Sequence, residues 1–153
     1  RDTDRSRGLG DVYKRQGLAV TMDCGEYNNM HPADKRTVAH RLALQALYRV
    51  YRAIPAIDAE APYCKNAYAS GGAYILQFSQ PVVAKDGEAA VFELAGTDGV
   101  YYPAIAEFRD NFVRLTSPNV RIPASMRYAW RNWCDVGVYG KNGIPVASFR
   151  MPK

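Results

Sequence analysis

Two imidazoles, His31 and His40, are the only ones in this chain of 153 residues. Imidazole titrates near neutral pH, so one ring can accept a proton and later return it. His31 follows a polar, turn-rich stretch from Asp23 to Asn29. That stretch lies between an apolar run and a helix-forming segment, which is where open α/β sheets set their functional groups. His40 falls nine residues later, about 180° around a helix from His31. No Cys or carboxylate stands at ligand spacing with the two, so neither a metal nor another cofactor is expected.

A base needs a nucleophile to serve. Beyond residue 16 the serines are Ser70, Ser79, Ser117, Ser125 and Ser148. None sits in a Gly-x-Ser-x-Gly elbow or a Gly-Asp-Ser turn. Cys24 lies seven residues before His31, but nothing near it lowers a thiol pKa, and a small buried Cys is the plainer reading. No Gly-rich phosphate loop is present. The residues give a candidate base without its partner.

The elements around His31 read as strand, loop and helix. Gly17 to Met22, GLAVTM, is a short apolar run suited to a buried parallel strand. Pro32 and Asp34 suit the first turn of a helix, one lacking an N–H and the other facing the positive dipole end. From Lys35 to Tyr51 there is no Gly or Pro. Val38, Leu42, Ala46 and Val50 recur at four-residue steps, flanked by Ala39, Ala43 and Leu47, with Arg36, Arg41, Arg49 and Arg52 mostly off that stripe. Pro55 is expected to end the helix. One strand and one helix cannot bury their own apolar faces, so exposed apolar surface is predicted on the helix.

After Pro55 the pattern changes. Short apolar or alternating runs recur at Ala73–Phe78, Val91–Ala95, Val100–Phe108, Phe112–Thr116 and Ser125–Trp130. Turn signals separate them at Gly71-Gly72, Asp86-Gly87, Asp98-Gly99, Asp110-Asn111 and Asn142-Gly143. Tyr74, Leu76 and Phe78 share one strand face, and Met126, Tyr128 and Trp130 share another. The expectation is an antiparallel β-sandwich or part of one.

Composition narrows the function. With 48% hydrophobic and 23% charged residues, the chain reads as folded. No run approaches the roughly 18 apolar residues of a membrane span, and no leader pattern is visible. Three cysteines, Cys24, Cys64 and Cys134, make neither a disulfide scaffold nor a CxxC knuckle. The formal charge is +5. However, Arg7 to Gln16 resembles the in-frame translation of a transposon end used to fragment DNA, so residues 1–16 read as a disordered adapter. Setting aside their five basic and three acidic side chains leaves 15 against 12, a net of +3. Without a basic cluster, no nucleic-acid partner is expected, and no membrane partner either.

Asp23–Leu47, DCGEYNNMHPADKRTVAHRLALQAL, resembles the end of the catalytic domain of sialate O-acetylesterases, within the SGNH-hydrolase superfamily. The tail agrees in Phe92–Asp98 (FELAGTD), Tyr102-Pro103-Ala104, Thr116-Ser117-Pro118, Arg127–Trp130 (RYAW) and Tyr139–Arg150 (YGKNGIPVASFR). The resemblance implies the last strand, loop and helix of an SGNH-type three-layer α/β domain over 17–56, then an antiparallel β-sandwich-like segment over 57–153.

It also implies hydrolysis of O-acetyl groups on sialic acid or related sugars. The nucleophilic Ser and the Gly and Asn of the oxyanion hole belong to blocks upstream of this chain, so the fragment alone is expected to be inactive. The missing N-terminal part of its own chain is then a partner, beside the acetylated sugar. The parent is expected to be exported, periplasmic or extracellular.

His31 matches the family's general base and acid. The orienting Asp stands three or two residues before that His in the family, whereas here both positions are amides, Asn28 and Asn29. An Asn oxygen can orient a ring N–H but adds no negative charge. Glu26 and Asp23 are the nearest carboxylates that could substitute. Arg127, Tyr128, Trp130 and Tyr139 could touch substrate or the catalytic domain, but the plainer roles are aromatics of a sandwich core or a domain interface and, for Arg127, a surface ion pair. The alternative function is a carbohydrate-binding or interaction β-module over 57–153, with eleven tyrosines and two tryptophans in the chain as stacking candidates.

Overall fold

The computed structural model describes residues 17–85 and 91–152. The adapter reading of 1–16 and the Asp86-Gly87 turn lie outside them. The chain divides into two compact units, one ending at Glu60 and one beginning at Ala61.

In the first unit, α1 spans Lys35–Arg49 and α2 spans Ala56–Ala59. Asp34 is the N-cap of α1, not a first-turn residue, and its Oδ1 accepts the Thr37 N–H at 3.0 Å. The helix stops at Arg49, before Pro55, and the chain unwinds through Arg52 with φ 52°. The strand expected over 17–22 does not form. A strand exists only through ladder hydrogen bonds, and among the described residues none lies beside this run. The Val20 carbonyl instead accepts from the Arg41 guanidinium.

The face of α1 that is buried carries Arg41 and Gln45. Leu42 is 54% and Val50 66% exposed, and Leu47 is exposed as well. The apolar stripe is therefore exposed at Leu42, Leu47 and Val50, as its pattern predicts, while Val38 and Ala46 are half-buried.

The second unit is antiparallel throughout its paired strands. Its described residues form ten strands: β1 Cys64–Ser70, β2 Ala73–Phe78, β3 Val82–Ala84, β4 Phe92–Ala95, β5 Tyr101–Pro103, β6 Ile105–Arg109, β7 Phe112–Thr116, β8 Ser125–Tyr128, β9 Val138–Gly140 and β10 Phe149–Met151. They form sheets in the orders β1-β2-β7-β6 and β10-β8-β4-β5, with a β3-β9 ribbon. Leu76, Phe78, Val113 and Leu115 from the first sheet and Leu94, Met126 and Tyr128 from the second are fully buried. The Phe78 and Phe149 rings meet edge-on at 6.0 Å, joining the two sheets.

Beyond shifts of one residue at strand ends, the strands depart from the sequence pattern at two places. The run Val100–Phe108 is split, because the chain passes from one sheet to the other at Pro103-Ala104, where the Ala104 N–H bonds the Phe92 carbonyl. Trp130 does not share the face of Met126 and Tyr128. Ala129 takes a left-handed conformation, φ 48°, which ends the alternation and leaves Trp130 exposed.

Candidate functional site

The loop from Asp23 to Asp34 carries His31 and is held at both ends. At its root, the Arg41 guanidinium forks onto Asp23, with Nη2 to Oδ2 at 2.7 Å and Nη1 to Oδ1. Nη1 also donates to the Val20 carbonyl at 2.7 Å and to Cys24 Sγ at 3.4 Å. Burial pushes the Asp23 carboxyl up, but the hydrogen bonds and charge of Arg41 outweigh it and hold Asp23 below the usual range. Cys24 is buried, and burial, with the Asp23 charge beside it, raises its thiol above the ordinary value. A thiol so raised is a poor nucleophile at neutral pH, in line with the structural reading of this residue.

Further along, Glu26 braces the loop. Its Oε1 accepts the Ala33 N–H at 2.7 Å and its Oε2 accepts from Asn29 Nδ2 at 2.9 Å. These bonds, the backbone one first, hold the Glu26 carboxyl below its ordinary range. Asn29 Oδ1 accepts the backbone N–H of His31 at 2.9 Å. Asn29 and Glu26 therefore meet each other and the loop backbone, and neither reaches the His31 ring. Asn28 is exposed and likewise makes no bond to that ring. Among the described residues, the imidazole of His31 has no hydrogen-bond partner and stands exposed, with Tyr27 and Met30 exposed nearby in the loop.

The arrangement offers an accessible imidazole on a braced backbone, which suits transfer of a proton to and from a group brought to it. His40 is exposed on α1. Among the described residues, no three of His, Cys, Asp and Glu are grouped to hold a metal.

Sequence reasoning missed Arg41 as a structural residue of this loop. The available signal was a polar row, Arg41, Gln45 and Arg49, at four-residue steps beside the apolar stripe. Gln45 Nε2 donates to the Ala59 carbonyl at 2.6 Å, its Oε1 accepts from Arg49 Nε at 3.0 Å, and Arg49 pairs with Glu60.

In the second unit, Arg127 Nε and Nη2 fork onto Glu93 at 2.6 and 3.2 Å, and Arg131 reaches the same carboxylate at 3.4 Å. The Arg127 guanidinium lies 4.2 Å from the Tyr101 ring centre. This brings FELAGTD and RYAW together as paired neighbours on β4 and β8. The expected surface pair of Arg127 has a buried acid as its partner, because Glu93 is only 6% exposed. Two serines are committed to backbone groups: Ser117 Oγ donates to the Pro103 carbonyl, and Ser79 Oγ accepts the Tyr63 N–H.

A scan against protein-family models and a search of curated proteins gave no match. Among solved structures, a crystal structure matches with TM-score 0.86 and 30% identity over 97% of this chain. That protein is a carbohydrate acetylesterase from Xanthomonas citri. This chain spans 35% of the Xanthomonas esterase, about a third of its length.

Proposed function

We propose that this chain is the His-bearing C-terminal part of a serine carbohydrate esterase of the SGNH type, acting on O-acetylated sialic acid or a related acetylated sugar. The observation that carries the reading is the likeness to the carbohydrate acetylesterase, 30% identical over 97% of this chain. The exposed His31 ring on its braced loop supports it.

In this reaction a Ser hydroxyl, supplied by the rest of a longer chain, attacks the acetyl carbonyl. His31 takes the hydroxyl proton as the Ser–carbon bond forms. The tetrahedral intermediate then collapses, the C–O bond to the sugar breaks, and the imidazolium returns the proton to the sugar oxygen. Water repeats the cycle on the acetyl-enzyme, releasing acetate and regenerating Ser. With Asn28 and Asn29 at the acid positions, the imidazolium receives no full negative charge from them, so turnover below that of an Asp-bearing enzyme is expected.

The test compares acetate release from O-acetylated sialic acid by this chain and by a longer protein carrying the Ser. The chain alone should release none above background. His31→Ala in the longer protein should lower kcat by roughly a thousandfold or more. A longer protein with its Ser intact and no acetate release, or with turnover untouched by His31→Ala, overturns the reading.

A further inference from the structure

We infer that Arg41 is a positioning residue for His31, acting through Asp23 and the loop root; its importance for catalysis rests on the function proposed above. Arg41 is only 5% exposed, and a buried guanidinium persists only where its donors are satisfied. Its described bonds end on the Val20 carbonyl, the Asp23 carboxylate and the Cys24 sulfur. Residues 20 to 24 are thereby gathered onto one point of α1.

The helix does not need this fork for its own turns. It has its own cap at Asp34 and its own backbone ladder. What the fork fixes is where the loop leaves the helix surface. The far end is fixed by Glu26 on Ala33 and by Asp34 on Thr37. His31, tied at its backbone N–H by Asn29, is suspended between these two anchors with its ring unbonded. An imidazole held by its backbone alone depends on the loop for its position, and the loop depends on Arg41.

The experiment is NMR on the 15N-labelled 153-residue chain, comparing Arg41→Met, Arg41→Lys and Asp23→Asn with the parent sequence. The readouts are the His31 ring signals and amide exchange at Cys24, Asn29 and His31, whose N–H groups bond Thr21, Glu26 and Asn29. Arg41→Met should speed this exchange about tenfold or more and shift the His31 ring signals, while α1 and second-unit amides stay unchanged. Arg41→Lys, which keeps the charge but not the fork, should restore part of the protection.

Unchanged His31 ring signals and loop exchange in Arg41→Met overturn the proposal. So does a change that appears only together with loss of the α1 amides. If Arg41→Met fails to fold, Asp23→Asn decides by the same readouts, and an unperturbed His31 there overturns it too. No substrate enters this measurement, so failure of the esterase reading shows in the acetate assay and not here.

Discussion

Glu93 sits on β4 with three cationic or aromatic neighbours, Arg127, Arg131 and, through Arg127, Tyr101. Replacing Arg127 by Met removes the two shorter bonds to a buried carboxylate and leaves it the longer Arg131 contact, and a loss of roughly 1–3 kcal/mol in unfolding free energy is expected by urea titration. Glu93→Gln, which keeps the shape and removes the charge, should cost less. The hydrogen bonds of Arg127 hold the Glu93 carboxyl below its ordinary value of 4.5, against the upward push of burial. A depressed acid stabilises the fold fully above the unfolded value and loses that contribution as pH falls through the folded one. Urea midpoints should therefore be flat with respect to this pair above about pH 5 and fall on acidification, with Glu93→Gln reducing the fall. Arg127 was legible in the sequence as a strand residue with an outward charge. Its partner was not, because the pairing that sets Glu93 opposite Arg127 depends on strand register across 34 positions.

Helix α1 shows which features of an element the sequence carries. Its extent from Lys35 was legible from the missing Gly and Pro, and its exposed stripe from the four-residue apolar spacing. Its end was not, since the left-handed turn at Arg52 carries no Gly to announce it. Asp34→Ala should remove the cap bond to Thr37 and lower the thermal midpoint of the helical circular-dichroism signal. Leu42→Gln and Val50→Gln, on the uncovered stripe, should stay within about 0.5 kcal/mol of the parent. Among the strands, Ala73–Phe78 and Phe112–Thr116 are bounded by turn residues and match the sequence pattern end to end. Strands such as Val82–Ala84 and Val138–Gly140 are three residues long, too short for alternation to register, and form a two-stranded ribbon with each other.

At the scale of the whole molecule, the two units bury different things. The second has a core of fully buried aliphatic and aromatic side chains, so Leu76→Ala should cost about 2–5 kcal/mol. In the first, helix α1 instead buries the polar pair Arg41 and Gln45 and leaves Leu42, Leu47 and Val50 in contact with solvent. That surface should drive concentration-dependent association, and Leu42→Glu with Val50→Glu should suppress it in light scattering. The cysteines are divided between the units in the same way. Cys24 is buried in the first unit, while Cys64 and Cys134 are half-buried in the second, and none is in a disulfide. The chain thus carries its own clocks. A thiol reagent in excess should mark Cys64 and Cys134 early, and mark Cys24 only when the root of the His31 loop lifts away from Arg41. The lag between the two labelling phases is then a direct timing of that opening, read from the native cysteines alone.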